Sequence, residues 1–173
     1  SGTMDAAGAT AFAVAAELAH AELSERTAHK RALRERLAAG IRSTVPEAVL
    51  RGAAGSAAAE VDPVRAAELD ALALPGTLHL TVPGAEGDSL LMLLDARGIA
   101  VSTGSACQAG VPEPSHVLLA MGLGEADARG ALRITLGPAT TVDELDALLA
   151  ALPDAVARAQ AAGLAAQQPR LGR

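Results

Sequence analysis

The chain has 173 residues, 50% of them apolar, which is enough for one domain with a hydrophobic core and too short for two ordinary domains. Its formal net charge of −6 and its lack of aromatic residues interleaved with basic ones exclude a surface built to bind nucleic acid. No apolar run approaches the roughly 20 residues that a membrane-spanning helix requires, so the sequence predicts no membrane segment.

The first quarter of the chain is rich in strong helix formers. Thr3 or Asp5 can cap a helical segment, continuous or broken, that extends to about Ser43. Within it, apolar residues recur at a spacing of four, at Leu33, Leu37 and Ile41. Pro46 follows the helical segment, and residues 48–55 predict a short strand.

Residues 77–101 have the pattern of a strand, a helix and a second strand. Thr and His alternate with Leu and Val over residues 77–82, which is typical of a strand with one buried face. Residues 86–97 carry leucines at helical spacing and are followed by Gly98, a residue that commonly ends helices. Residues 99–101 then predict the second strand.

The C-terminal part of the chain predicts a helix, a strand and another helix. Residues 115–121 have the composition of a short helix, and residues 131–136 that of a strand. Thr141 and Glu144 have the spacing of a capping box for a helix that begins at residue 142. Pro153 is expected to kink or interrupt this helix because proline lacks a backbone donor.

These elements predict one mixed α/β (α+β) domain, in which a sheet of short strands is flanked by helices. We assign residues 1–166 to this domain. Residues 167–173 contain too few apolar side chains to stay ordered without a partner, so we expect a disordered tail.

The only cysteine, Cys107, lies in a stretch of small and polar residues at 102–114. A lone cysteine is most often a small buried apolar residue, and an inert role is one interpretation. The neighbouring glycines, serines and prolines favour instead an exposed, mobile loop with an accessible thiol. No Lys, Arg or His occurs between Gly98 and Glu113, so a lowered thiol pKa would require backbone amides or residues distant in sequence.

The same cysteine count bears on location and metal binding. One cysteine cannot form an internal disulfide, and the sequence lacks a secretory signal pattern, so we expect a reducing, cytoplasmic location. The four histidines, at positions 20, 29, 79 and 116, do not have the spacing of zinc ligands on one helix face. The sequence therefore predicts no metal site of the chain's own.

Arg133 lies within the predicted strand at 131–136. One interpretation is an outward, solvated arginine on a half-buried strand. The other is a two-pronged clamp on a substrate carboxylate, a task for which the planar guanidinium is better suited than an ammonium group. The sequence pattern alone leaves both interpretations open.

Several segments together resemble one protein family. Residues 98–107, Gly-Ile-Ala-Val-Ser-Thr-Gly-Ser-Ala-Cys, resemble the catalytic-loop signature of cysteine desulfurases of the iron–sulfur-cluster and nitrogen-fixation type. The other matching pieces, in the family's order, are residues 1–3, 74–78, 86–87, 113–118, 121–122, 132–137 and 140–141. The resemblance covers residues 1 to about 163, and its cysteine loop is the most specific part.

The resemblance implies the fold of the class-V aminotransferases, which are fold-type I enzymes dependent on pyridoxal 5′-phosphate (PLP). In that family a large domain holds PLP on a lysine, and a small C-terminal domain carries the cysteine loop. This chain corresponds to the small domain of an expected homodimer, and the N-terminal large domain is missing. Lys30 is the only lysine, and its helix-surface context predicts a solvated side chain that cannot replace the PLP lysine.

The resemblance also implies an activity and roles for three residues. The complete protein is expected to be a sulfurtransferase that converts L-cysteine to L-alanine, whereas the isolated chain is expected to be inactive. Cys107 would receive the sulfur as a persulfide and pass it to an acceptor or scaffold protein for iron–sulfur cluster or thio-cofactor assembly, where it could also contact a nascent cluster. Arg133 would bind the substrate carboxylate, and Thr3 would contact the PLP phosphate across the dimer.

Two positions depart from the family, and two alternatives to an enzyme remain. The family often has asparagine at the positions of Gly76 and His79, and we predict a structural or surface role for His79. The first alternative is a stand-alone persulfide-relay or binding domain that uses Cys107 without PLP. The second is a structural or dimerisation domain in which the thiol is incidental.

Overall fold

The structure is a computed structural model, and it describes residues 2–52, 64, 68, 71–103 and 114–167. The elements with described bounds are α1 (Ala6–Ala21), α2 (Leu23–Thr44), β1 (Val49–Arg51), β2 (Thr77–Thr81), α3 (Gly87–Asp95), α4 (His116–Ala120), α5 (Glu125–Arg129), β3 (Ala131–Thr135) and α6 (Val142–Gln167). This arrangement confirms the predicted mixed α/β class with short strands and flanking helices.

The strands β1, β2 and β3 form one antiparallel sheet in that order. Because side chains alternate between the two faces of a strand, the buried apolar residues of the sheet share one face. These residues are Leu50, Leu78, Leu80, Leu132 and Ile134. The register places Leu80 opposite both Leu50 and Leu132, so a continuous apolar row crosses all three strands.

Helices α2, α3 and α6 complete the core on this apolar face. Both α2 and α3 pack on α6, while α2 also contacts β2 and α3 also contacts β3. The largest side chains that these helices bury are Leu37, Ile41, Leu90, Leu94, Leu152 and Val156. The four-residue spacing predicted for α2 is confirmed, because Leu33, Leu37 and Ile41 all lie in the core.

The predicted N-terminal helical segment is broken at Glu22 into α1 and α2. Asp5 caps α1, since its Oδ1 accepts a hydrogen bond from the Gly8 N–H at 2.8 Å. Helix α1 buries none of its residues against the described part of the chain, and Phe12 is 77% exposed. The core of the domain therefore begins with α2.

Residues 99–101 do not form the predicted strand. Gly98 has a φ of +75°, and the Ile99 N–H donates to the Leu94 carbonyl at 3.1 Å, so these residues complete the turn that ends α3. The only bridge to β3 from this stretch is made by Ser102, opposite Arg133. An apolar run in the sequence does not reveal that its first residues are engaged in ending a helix.

Pro153 does not interrupt α6, which is continuous through it. The helix is held on both sides of the proline, because Leu152 and Val156 are buried in the core. Arg97 adds a clamp across this point: its Nη1 donates to the Ala151 carbonyl at 2.9 Å and its Nη2 pairs with Asp154. These contacts offset the backbone hydrogen bond that proline cannot make.

The start of α6 follows the sequence prediction. The Thr141 N–H donates to Glu144 Oε2 at 2.8 Å, and the Glu144 N–H donates to Thr141 Oγ1 at 3.3 Å, which is the predicted capping box. The predicted tail falls almost entirely on residues 168–173, which lie outside the described residues. Within the described ranges, no helix is both long and apolar enough to cross a membrane.

Leu90 and Met92 of α3 provide a matched test of this core. Leu90 is fully buried, whereas Met92 is 70% exposed. Leu90→Ala should lower the free energy of unfolding by about 2–5 kcal/mol, because it removes packed methyl groups and leaves a cavity. Met92→Ala should change it by no more than about 0.5 kcal/mol. Urea denaturation measures both, and equal losses would contradict the packing of α3.

Candidate functional site

The face of the sheet opposite the core carries three basic side chains in a row. Arg51 of β1 lies directly opposite His79 of β2, and His79 lies directly opposite Arg133 of β3. Directly opposite residues of an antiparallel pair project to the same face, so these three side chains are neighbours. We call Arg51, His79 and Arg133 the basic row.

Arg51 is held in place by Thr81 of β2. Its Nε and Nη2 donate hydrogen bonds to Thr81 Oγ1 at 2.9 and 2.6 Å, and Thr81 is fully buried. The buried hydroxyl is thereby satisfied as an acceptor, and the guanidinium group is fixed in orientation beside β2.

His79 lies in the middle of the basic row and is half-buried. Its pKa is lowered from the ordinary value of 6.5, first by burial, then by the charge of Arg133 and then by that of Arg51. All three causes disfavour the protonated imidazolium. The middle member of the row is therefore a neutral imidazole at neutral pH.

Arg133 is exposed, and no carboxylate of the described residues pairs with its guanidinium. Other arginines of the described part do form ion pairs, namely Arg26 with Glu22, Arg36 with Asp146 and Arg97 with Asp154. The guanidinium donors of Arg133 thus remain available to an anion, in the planar fork that suits a carboxylate.

The segment that carries Cys107 begins and ends beside β3. Before it, the Arg133 N–H donates to the Ser102 carbonyl at 2.7 Å, and the Ser102 N–H donates to the Arg133 carbonyl at 3.0 Å. After it, Leu118 of α4 shares a small apolar cluster with Ala131 of β3. Cys107 itself lies outside the described residues, so its predicted exposure stays a prediction.

Thr3 lies in the exposed segment that precedes α1. The main contact of α1 is with α2, whereas Arg133 belongs to the sheet. The structure therefore does not bring Thr3 and Arg133 together in one site within one copy of the chain.

The comparisons with known proteins cover most of the chain. Residues 1–148 match the family described as Aminotransferase class-V. The chain belongs to the class-V aminotransferase family. It is 49% identical over 166 residues to the IscS-like cysteine desulfurase of Mycobacterium tuberculosis, a match that covers 96% of this chain and 38% of that protein. It is also 36% identical over 157 residues to the cysteine desulfurase NifS of Azotobacter vinelandii, covering 91% of this chain and 35% of that protein.

Solved structures give the same assignment to this class-V chain. A NifS-like protein superposes with a TM-score of 0.68 at 31% identity, covering 91% of this chain and 35% of that one. A NifS-like protein from Rickettsia africae superposes with a TM-score of 0.68 at 26% identity, covering 90% and 36%. The chain thus spans a little over a third of the length of its relatives.

Class-V aminotransferases depend on PLP, but the described residues do not form a complete pocket for it. Lys30, the only lysine in the sequence, is half-buried, and the predicted solvation of its ammonium group stays a prediction. Its stem packs over Gly76, where an added Cβ would lie 2.9 Å from Lys30 Cδ and 2.6 Å from the Leu136 carbonyl oxygen. Thr3 offers one exposed hydroxyl, which fits the edge of a phosphate site at most.

Sequence reasoning identifies Arg133 as a candidate ligand, gives His79 only a structural or surface role, and misses Arg51. Arg51 becomes relevant only through strand pairing, which places it opposite a residue 28 positions later in the chain, His79. The one sequence feature that could have indicated Arg51 is the short strand predicted at residues 48–55. Its register against residues 77–82 could not be read from either segment alone.

His79→Gln tests the electrostatics of the basic row. The folded-state pKa of His79 lies below 6.5, so the unfolded chain binds the proton more readily. This group therefore has no effect on stability above pH 6.5, and stability is lost as the pH falls from 6.5 towards the lowered pKa.

In this window, His79→Gln should flatten the pH dependence of the free energy of unfolding. His20→Gln, at an exposed position of α1, is the matched control and should leave the dependence unchanged. Urea denaturation at several values between about pH 7.5 and 5 measures the slope. A slope that His79→Gln does not alter would disprove the stated environment of the imidazole.

Proposed function

We propose that this chain is the small-domain part of a PLP-dependent cysteine desulfurase. In this proposal the complete protein converts L-cysteine to L-alanine, and the sulfur is captured as a persulfide on Cys107. The observation that carries the proposal is the backbone pairing of Ser102 with Arg133. It places the start of the Cys107 segment beside an exposed arginine that forms no ion pair with a carboxylate of the described residues. The two cysteine desulfurases that the chain resembles support the same reaction.

Arg133 is assigned the substrate carboxylate. The backbone at the base of this guanidinium is fixed by two hydrogen bonds, because the Arg133 N–H and carbonyl both pair with Ser102. A two-pronged contact with a carboxylate orients the amino acid as well as binding it, because both oxygens are engaged. The side chain of a bound cysteine would then be presented at a fixed place relative to β3, where the Cys107 segment begins.

Cys107 is assigned the role of nucleophile. Its thiolate attacks the sulfur of the substrate and forms an S–S bond while the C–S bond of the substrate breaks. The electron pair of the broken bond stays with carbon, which takes up a proton and becomes the methyl group of alanine. PLP, when bound to the complete protein, supplies the electron sink that makes this C–S bond labile.

The remaining assignments concern the contacts of this chain with the rest of the protein and with other proteins. The lysine that holds PLP is assigned to the missing N-terminal large domain, so the isolated chain is proposed to be inactive. Thr3 is assigned to the PLP phosphate of the second subunit in a homodimer. Its exposure and its separation from the sheet support a contact outside its own domain. The persulfide sulfur passes to an acceptor or iron–sulfur scaffold protein in the cytoplasm.

The Cys107→Ser variant of the complete protein should keep its fold and lose turnover. If the thiol lies in a solvated loop, the free energy of unfolding changes by no more than about 0.5 kcal/mol. A hydroxyl buried without a partner costs roughly 1–3 kcal/mol instead, so denaturant titration separates the two cases. Alanine release and protein-bound persulfide are measured in parallel, with PLP absorbance as the control. Sulfur delivery at the original rate would remove Cys107 from this role.

The Arg133→Lys variant of the complete protein should bind L-cysteine more weakly, although the charge is retained. A point charge replaces a two-pronged donor, and loss of such a contact costs roughly 1.5–3 kcal/mol. The Michaelis constant should therefore rise by about one to two decades. Arg36→Lys, at the exposed ion pair with Asp146, is the matched control and should leave it unchanged. An unaltered constant in Arg133→Lys would indicate a solvated arginine without a ligand.

A further inference from the structure

We infer that Arg51, His79 and Arg133 act together as one anion site, which binds the carboxylate of an amino acid with uptake of a proton by His79. The inference rests on the proposed role of Arg133. It adds Arg51 and His79, which have no role in the proposed function. It makes His79 a second ligand contact and Arg51 the fixed charge behind it.

The geometry of the sheet brings the three side chains to one place. Neighbouring strands lie about 4.8 Å apart, so the backbones of Arg51 and Arg133 are separated by on the order of 10 Å, with His79 between them. The side chains of directly opposite residues are within reach of each other across each step. A carboxylate held by Arg133 therefore lies next to the imidazole of His79.

The charge distribution of this face points to an anionic ligand. The chain contains 20 acidic and 14 Lys or Arg residues, yet none of the described strands has an acidic residue on its outer face. Apart from the basic row, this face is formed by Val49, Thr77, Thr81, Ala131 and Thr135. Two arginines thus face each other across a histidine without a carboxylate between them, in a protein with an excess of carboxylates.

Arg51 is suited to a fixed electrostatic role. Both of its hydrogen bonds go to the buried Thr81 hydroxyl, so its guanidinium cannot turn away from β2 without leaving that oxygen without a donor. Its charge therefore acts on His79 and on any anion at Arg133 in every state of the site. Because the group is already immobilised, binding costs it little conformational entropy.

The proton linkage follows from the field at His79. In the free site the pKa of His79 is lowered by burial, by Arg133 and by Arg51. A carboxylate bound at Arg133 brings a negative charge next to the imidazole, which favours its protonated form. Carboxylate binding then raises the pKa of His79, and by reciprocity a lower pH strengthens carboxylate binding.

Other ionisable groups on the helices packed against β2 are not among the causes of the lowered pKa of His79. They are Glu25, Arg26, His29, Lys30, Arg31, Arg34, Glu35, Arg36 and Arg42 of α2 and Glu125, Asp127 and Arg129 of α5. Among the described residues, the charges that shift the pKa of His79 are those of Arg133 and Arg51 alone. The site is therefore governed by the basic row itself.

The test is isothermal titration calorimetry of the complete, PLP-loaded protein with propionate, which has a carboxylate but no amino group to react with the cofactor. Titrations in buffers of different ionisation enthalpy give the number of protons taken up per propionate bound. Near pH 6.5, the ordinary pKa of histidine, we expect uptake of a fraction of one proton. 1-Propanol, which has neither a carboxylate nor an amino group, should show neither this site nor this uptake.

Three variants and one control variant separate the inference from the proposed function. His79→Asn should abolish the proton uptake while His20→Asn retains it, and Arg51→Gln should weaken propionate binding by a few-fold to about tenfold. Binding that depends on Arg133, but takes up no proton and ignores Arg51, overturns the inference and leaves the desulfurase proposal intact. Binding that ignores Arg133→Gln overturns the inference together with the carboxylate role of Arg133, while Cys107-dependent alanine release still tests the reaction.

Discussion

The antiparallel pairing of β2 with β3 is the constraint on which both faces of the sheet depend. Its register sets Leu78 opposite Ile134 and Leu80 opposite Leu132, and these leucines and isoleucine form the floor of the core. The same register sets His79 opposite Arg133 on the other face. A slip of one residue would place the arginine in the core and the leucines in water, so the apolar packing of one face enforces the position of the basic group on the other.

The distribution of charged residues also differs between the helices and the outer face of the sheet. Four of the described arginines, Arg26, Arg36, Arg97 and Arg158, pair with a nearby carboxylate. The strands carry no such compensation for Arg133, and their hydroxyl side chains, such as Thr81, accept hydrogen bonds without adding negative charge. A positive field can persist on this face of an acidic protein because none of the described strands carries an acidic residue.

Local patterns in the sequence are sufficient to predict those elements of the fold that are determined by residues close together in the chain. Alternation over residues 77–82 and 131–136 predicts two strands and their buried faces, and the Thr141–Glu144 spacing predicts a capping box that the structure contains. The strand expected at 99–101 is wrong because Gly98 and Ile99 are engaged in ending α3. Of the kink or interruption expected at Pro153, the interruption does not occur, and Arg97, distant in sequence, contacts the helix on both sides of that residue. At the candidate site, Arg133 is recognisable from its motif, whereas Arg51 is defined by a cross-strand partner that no local pattern specifies.

The two anchors of the Cys107 segment on β3 set a limit on where sulfur could be handed over. Cys107 is five residues beyond Ser102, and an extended chain covers at most about 3.6 Å per residue. The Cα atom of Cys107 therefore lies within roughly 18 Å of the Ser102 backbone, and a persulfide side chain extends a few ångströms further. In the proposed reaction, an acceptor protein must bring its own sulfur-accepting atom within that combined reach of the end of the segment that is fixed to β3.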